Sequence, residues 1–345
     1  MNKRILTPAR PVYIADGASV VGHEEHRGPL GELFDLHDEK NDSFGMKTWE
    51  MAESEMQRLA VNVLLGRSGL REEQIGALFS GDLLNQCTGS GYGLLSFQIP
   101  FFGLYGACST AAEGLALGAL YTGACRRRCV TVSSSHYCSA ERQFRYPMEY
   151  GAQRPPTAQW TVTGAAAFLL TDHRGECRGE RVGIRITEVL PGISIDRGIT
   201  DANNMGAAMA PAALDTILTY LKESGRDPSS FDMIATGDLG REGSAILLDF
   251  ARAAGYDLSR VHRDCGLLIY DVEKTDKHAG GSGCGCSAAV LSAWILEQMR
   301  TGQMRDVLFV GTGALLSPMS VQQGQSIPGI AHLIHMQAEE DRDDA

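Results

Sequence analysis

The 345-residue chain is expected to fold as an α/β protein, a duplicated α/β sandwich of two pseudo-twofold halves. Three observations carry this expectation. Helical and strand-like stretches alternate along the chain. One helix-to-strand unit returns 156 positions downstream with its punctuating residues in register. Two Gly- and Ala-rich helical stretches, one starting at Cys108 and one at Cys286, suit the buried centre of a sandwich, because small residues permit close backbone approach.

Taken in order, residues 11–15 and 18–21 read as two strands, and Lys40, Asn41 and Asp42 as an exposed loop after them. Residues 53–65 place apolar positions at helical spacing until Gly66, Ser68 and Gly69 stop them. Residues 75–83 then read as a short buried strand ending in a Gly-Asp turn. The second copy has a helix over 210–221, a stop at Ser224 and Gly225, and a strand over 231–239. Gly69 falls on Gly225, Gly81 on Gly237 and Asp82 on Asp238 without a gap. Further on the repeat is looser. The helix from Cys108 to Gly123 and the strand over 129–133 answer the helix from Cys286 to Gly302 and the strand over 306–311. Residues 161–170 close the first half as a strand, and 176–180 form a polar join. The halves are therefore drawn at 1–172 and 173–337, each expected to be its own sheet covered by helices, with an acidic tail, 338–345, expected to be disordered.

Composition excludes several functions. Lys and Arg total 31 against 42 Asp and Glu, and a net charge of −11 offers no field for nucleic acid or anionic lipid. The opening residues lack the apolar core of a secretory leader, and no run approaches a membrane span, so a cytoplasmic protein is expected, with any membrane contact peripheral. Nine cysteines then read as reduced thiols. Cys125 with Cys129 and Cys284 with Cys286 are the close pairs, and neither has a partner pair at zinc spacing, so no metal and no cofactor is expected.

The stretch most informative about function is 100–116, where Gly103, Gly106 and small residues bracket Cys108 ahead of an Ala-rich helix. A thiol at a helix N-terminus would have its pKa lowered, and the same backbone N–H groups would attract an anion. Cys108 therefore reads as a nucleophile, as the floor of an anion pocket, or as a buried small residue.

Gly106, Ala107, Cys108, Ser109 and Thr110 resemble the nucleophile turn of the thiolase and ketoacyl synthase superfamily, residues 163–168 its Gly/Ala-rich strand, and His278 with Gly281 the thiolase His-x-x-Gly turn. The resemblance spans the chain and implies a thiolase-like, five-layered α-β-α-β-α fold. Residues 105–110, 201–211 and 276–287 are more specifically similar to the stage V sporulation protein AD family. That similarity implies a sporulation protein that binds dipicolinic acid (pyridine-2,6-dicarboxylate), free or as its calcium chelate. It also implies a role in dipicolinate uptake into the forespore, with integral-membrane proteins of the same operon as partners, and a place peripheral to the spore inner membrane. The superfamily further implies a homodimer paired through the edge strand ahead of the cysteine helix.

The departures from the superfamily suggest lost condensing chemistry. Thr236 stands where ketoacyl synthases carry a histidine, and a hydroxyl is a poor general base. Thr312, between Gly311 and Gly313, stands where thiolases carry a second cysteine. Cys108 and His278 remain a candidate Cys–His pair, so a cysteine acyltransferase is the alternative.

The ligand-binding candidates are Cys108, Thr236, Asp238, Arg241, His278 and Gly281. Arg241 offers a guanidinium fork for a carboxylate, or else pairs with Glu242 or Asp238 at the surface. Asp238 caps its turn, or meets a ligand that brings calcium. Phe101, Phe102 and Tyr105 read as core, with stacking on a planar ligand the alternative. Residues 203–206 begin a loop whose amides could line a pocket entrance. Residues 126–128, all arginine, read as a solvated loop rather than a docking patch.

Overall fold

Residues 3–144, 154–179 and 182–340 are described here from a computed structural model. Ten strands make the body of one sheet: β1 (Val12–Val21), β2 (Ile75–Gly81), β3 (Phe101–Leu104), β4 (Arg128–Ser135), β5 (Gly164–Thr171), β6 (Val182–Leu190), β7 (Met233–Thr236), β8 (His262–Asp264), β9 (Asp306–Ala314) and β10 (Gly329–Glu340). Their hydrogen-bonded order is β8-β7-β9-β10-β6-β1-β5-β4-β2-β3. Each strand of the first half has its equivalent five strands later. In both halves the pairs run antiparallel, antiparallel, parallel and parallel from the centre outward.

The helices follow the same repeat. Helix α1 (Trp49–Ser68) is capped by the Thr48 hydroxyl, which accepts from the Met51 N–H at 3.3 Å, and it ends on Gly69 at φ 65°. Its counterpart α3 (Met205–Ser224) follows α2 (Thr110–Cys125), is capped by Asn204, and ends on Gly225 at φ 71°. A left-handed C-terminal residue favours glycine in both places. Helix α4 (Gly240–Ala253) packs on α3, and α3 on β9 and β10, while α1 covers β1, β4 and β5. Between the halves lie α2 and a second central helix, α5 (Cys284–Val290), which continues through a π turn over Leu291–Ile295 to Arg300. The layers are therefore helix, sheet, helix, sheet, helix.

The central helices touch strands of both halves, and their core joins Leu115 and Ala119 of α2 and Val290 of α5 to Phe168 of β5 and Phe309 of β9. Such packing needs small residues. A Cβ on Gly285 of α5 would lie 2.2 Å from the Gly164 carbonyl oxygen, and one on Gly311 of β9 would lie 2.5 Å from the Ala112 Cβ of α2.

Several expectations are corrected. The two first strands are one, β1, bent by a register shift between Ile14 and Asp16. The two sheets are not separate, because β1 pairs antiparallel with β6 at Val12, Tyr13 and Ile14. The acidic tail is not wholly outside the fold, since Ala338, Glu339 and Glu340 extend β10 along β6 and Glu339 accepts from Tyr13; residues 341–345 lie outside the described residues. The polar join falls partly on Glu180, also outside them. Phe101, Phe102 and Tyr105 are not core. They are 44%, 51% and 52% exposed, because β3 is an edge strand with β2 on one side only.

Under the outer face of the first half lies a buried polar network. Glu53 of α1 accepts from Ser134 Oγ at 2.9 Å and from Ser139 Oγ at 2.7 Å. Asp82, just after β2, accepts from the Ser90 N–H and hydroxyl, both at 2.7 Å, and from the Leu84 N–H at 2.8 Å. The Gln57 amide joins the two by donating to Ser90 Oγ and Ser134 Oγ. Burial pushes Glu53 up to about 8, with the Asp82 charge adding to it. Glu53 thus keeps its proton in the fold up to about pH 8 but loses it near 4.5 when unfolded, so the folded state binds more protons across that window. Stability then falls as pH rises through it. Glu53→Gln is expected to match the wild type at pH 5 and to melt higher at pH 9, by roughly 1–3 °C if about 1–2 kcal/mol is recovered. Equal melting points at pH 9 would contradict a protonated Glu53.

Candidate functional site

The cysteine turn leaves β3 through Tyr105 and Gly106 and enters α2 by a 3-10 turn over Ala107–Ser109. Ala107 holds φ 51°, a left-handed conformation that costs a non-glycine residue on the order of 1 kcal/mol. Local bonds hold it there. Thr110 Oγ1 donates to the Ala107 carbonyl at 2.7 Å and accepts from the Gly106 N–H at 3.1 Å, and Ser109 Oγ donates to the Gly106 carbonyl at 2.6 Å.

Cys108 is buried at the base of a cavity of about 350 Å³. The first half supplies Leu83, Asn85, Tyr105, Ala140 and Phe144, and the second Ala202, Asn203, Met205, Ser282 and the stretch from Ala314 to Pro318. Asn203 thus lines the pocket as expected, while Asn204 is used in capping α3. The walls are braced from the helix Tyr137–Phe144, where Gln143 donates to the Leu83 carbonyl at 2.9 Å and accepts from the Asn85 N–H at 3.0 Å. Ser139 on the same helix holds Glu53, so the buried acid network lies directly behind these walls. Among the described lining residues there is no Lys, Arg or His, and the one charged side chain is Glu141.

The group facing Cys108 is an acid. The thiol lies 3.9 Å from Ser282 Oγ, which in turn donates to the Asp238 carboxylate at 3.2 Å, so the carboxylate stands one hydroxyl away from the sulfur. Asp238, fully buried after β7, accepts from Thr312 Oγ1 at 2.7 Å, from Ser282 Oγ at 3.2 Å and from the Gly283 N–H at 2.9 Å, and its own N–H donates back to Thr312 Oγ1 at 3.0 Å. Gln159 fastens the layer by donating to the carbonyls of Asp238 and Gly281. Burial first, then the Asp238 charge, pushes the Cys108 thiol well above its usual range. The expected lowering by the helix terminus is overturned, because desolvation and a neighbouring anion outweigh a partial dipole charge.

The other candidates separate. Gly281 belongs to a two-rung ladder in which it pairs with Trp160 and Ser282 with Thr161, which is how Ser282 reaches Asp238. Thr236 turns the other way, donating to Asp264 at 2.6 Å and meeting His262 Nε2 at 2.9 Å. It does not line the cavity. Burial pushes Asp264 up to about 7 and His262 down to about 4. Arg241 pairs with Glu273 rather than with Glu242 or Asp238, and His278 pairs with Asp276 at 2.9 Å; both are about half exposed and neither lines the cavity. The Cys108–His278 pair is therefore not formed. Arg126 and Arg128 pair with Asp172 and Glu176 at the far end of the sheet. Among the described residues no group of three His, Cys, Asp or Glu side chains could hold a metal, and no helix is long and apolar enough to cross a membrane.

Ser282, Thr312 and Gln159 were not legible as site residues. Thr312 was visible only as a missing cysteine, whereas its hydroxyl both donates to and accepts from Asp238. Thr312→Val, nearly isosteric, leaves a buried carboxylate oxygen and an N–H short of a partner. It is expected to cost about 1–3 kcal/mol in chemical denaturation; an unchanged midpoint would show that the hydroxyl bears no share of the turn's stability.

Comparison with known proteins agrees with this geometry. Solved structures of similar fold include a variant of Xanthomonas campestris OleA, with a TM-score of 0.57 at 16% identity over 96% of this chain and 99% of that one. Another is the 3-oxoacyl-(acyl carrier protein) synthase III, FabH, of Xanthomonas oryzae pv. oryzae, with a TM-score of 0.56 at 14% identity over 94% and 99%. At such identities they show the fold alone, and it is the thiolase-like one. In sequence, the chain is 44% identical over 324 residues to the stage V sporulation protein AD of Bacillus subtilis (strain 168), covering 93% of each. The profile of that family matches residues 2–337. The chain belongs to the stage V sporulation protein AD (SpoVAD) family.

Proposed function

We propose that this sporulation protein is a non-catalytic binding protein that holds dipicolinate in the cavity over Cys108 and assists its uptake into the forespore. The observation that carries the reading is the carboxylate of Asp238 opposite the thiol, with no described imidazole bonded to either group. The Cys–His chemistry of an acyl-transfer cycle needs an imidazole to take and return protons at the thiol; the described groups next to Cys108 are Ser282 and Asp238, with no imidazole among them. The cavity is at the lower end of small-molecule sites in size, and Tyr105 and Phe144 offer rings to a planar ligand.

Charge narrows the bound form. Among the described lining residues a free dianion would meet Glu141 and no cation, and burying unpaired charge costs several kcal/mol. Reading the cavity as a site for the neutral calcium chelate avoids that cost, with one carboxylate edge toward the N-terminus of α2. Arg241 and His278 are no longer the carboxylate's partners in this account. Integral-membrane products of the same operon are the proposed partners, with this chain peripheral to the forespore inner membrane.

Calorimetry with dipicolinate, with and without calcium, tests the site. Cys108→Trp is expected to abolish binding by filling the space and Cys108→Ala to weaken it only modestly, while Arg241→Ala and His278→Ala should bind like the wild type. Wild-type affinity in a folded Cys108→Trp protein would place the ligand elsewhere. A stable mass increase on Cys108 after incubation with acetyl-CoA or malonyl-CoA would instead favour the acyltransferase reading. A homodimer through β3 is also proposed, since Phe101 and Phe102 expose an unpaired apolar edge. Light scattering should report a dimer for the wild type and a shift toward monomer for Phe102→Asp; a monomeric wild type at micromolar concentration would refute the pairing.

A further inference from the structure

We propose that Asp238 is the residue that silences Cys108: its carboxylate, locked behind the cysteine turn by Thr312, Ser282 and Gly283, faces the thiol and keeps it from acting as a nucleophile. The inference deepens the binding reading and rests on it in one respect, that Cys108 carries no chemistry. The two copies of the repeated Gly-Asp turn make the case. Asp82 keeps all its bonds within the first half, to Leu84 and Ser90. Asp238, at the same place in the second half, takes one bond from its neighbour strand through Thr312 and two from the Ser282–Gly283 turn, and through Ser282 it stands next to the thiol of the opposite half. A turn-capping acid has become a group aimed across the interface between halves.

The groups around the thiol, Ser282 apart, act in one direction. Cys284 of the other central helix adds a second buried sulfur, and Asp264 lies beyond Asp238 as a second buried acid. Ser282 is the one neighbour that favours a thiolate. No cation faces Cys108 from the turn, the ladder or either central helix among the described residues. The thiol proton therefore stays on sulfur, because forming a thiolate would place two anions on either side of the Ser282 hydroxyl in a dry layer. Removing the carboxylate's charge leaves burial as the remaining opposition.

The test is alkylation of Cys108 by iodoacetamide, in which the thiolate displaces iodide, followed by peptide mass spectrometry between pH 6 and 10. Wild-type Cys108 should react slowly, with no plateau in this range. Asp238→Asn should react roughly tenfold faster at pH 8, with its inflection about one pH unit lower. Asp238→Glu, which keeps the charge, should stay slow. Should the asparagine variant fold poorly by circular dichroism, Asp238→Ser removes the same charge at smaller volume. An unchanged or slower rate in a folded, charge-free variant overturns the proposal, and a slower one would make Asp238 a base. Because the readout needs no dipicolinate, failure to bind that ligand would refute the binding reading and leave this one standing.

Discussion

Everything in this molecule depends on two helices that have sheet on both sides. A helix so placed has little room for solvated side chains, so apart from Glu113 near its start α2 holds small or apolar residues, α5 likewise, and backbones must pass at distances that glycine and alanine allow. The same constraint fixes the site. The N-termini of both helices meet the seam between halves, so the turn carrying Cys108 and the turn after Ser282 face one another across a small space, and the cavity is what the packing leaves between them.

Much of the fold could be read in the residues because punctuation is local. Gly69 and Gly225 mark helix ends through their own backbone angles, and the in-register return of Gly-Asp after each strand needed no tertiary knowledge. The site was legible only where a residue acts from its own turn, as Cys108 and Asp238 do. Arg241 and His278 lie close in sequence to Asp238 and Gly281 but turn outward to Glu273 and Asp276, a choice made by chain direction and invisible to spacing. Thr236 stands at the homologous position, yet its hydroxyl is taken up by Asp264 and His262 rather than by the cavity. Phe101 and Phe102 were taken for core because burial of an edge strand depends on what lies beside it.

The buried acids form the second theme. Among the described residues Glu53, Asp82, Asp238 and Asp264 have no Lys or Arg partner and are held by hydroxyls and backbone N–H groups. Each is worth little as a stabilising contact, since desolvation opposes the charge, but each fixes several donors in one orientation. That orientation passes to the cavity walls through Ser139, Leu84 and Ser282. Rigidity is a sensible use of such groups in a wall that shapes a small cavity.

The short β1–β6 pairing has a historical reading. Strands joined at only Val12, Tyr13 and Ile14 contribute little compared with the shared core that both central helices complete. A chain of half this length, carrying one sheet and one central helix, would have left that helix bare on one side. It could have been stable only as a pair of copies, each covering the other. The present seam has the geometry of such a subunit boundary, with both copies carried by one chain. Once the two copies stood on a single gene, a mutation could alter one without the other, which is how a capping aspartate could stay ordinary in one half and be put to new use in the other.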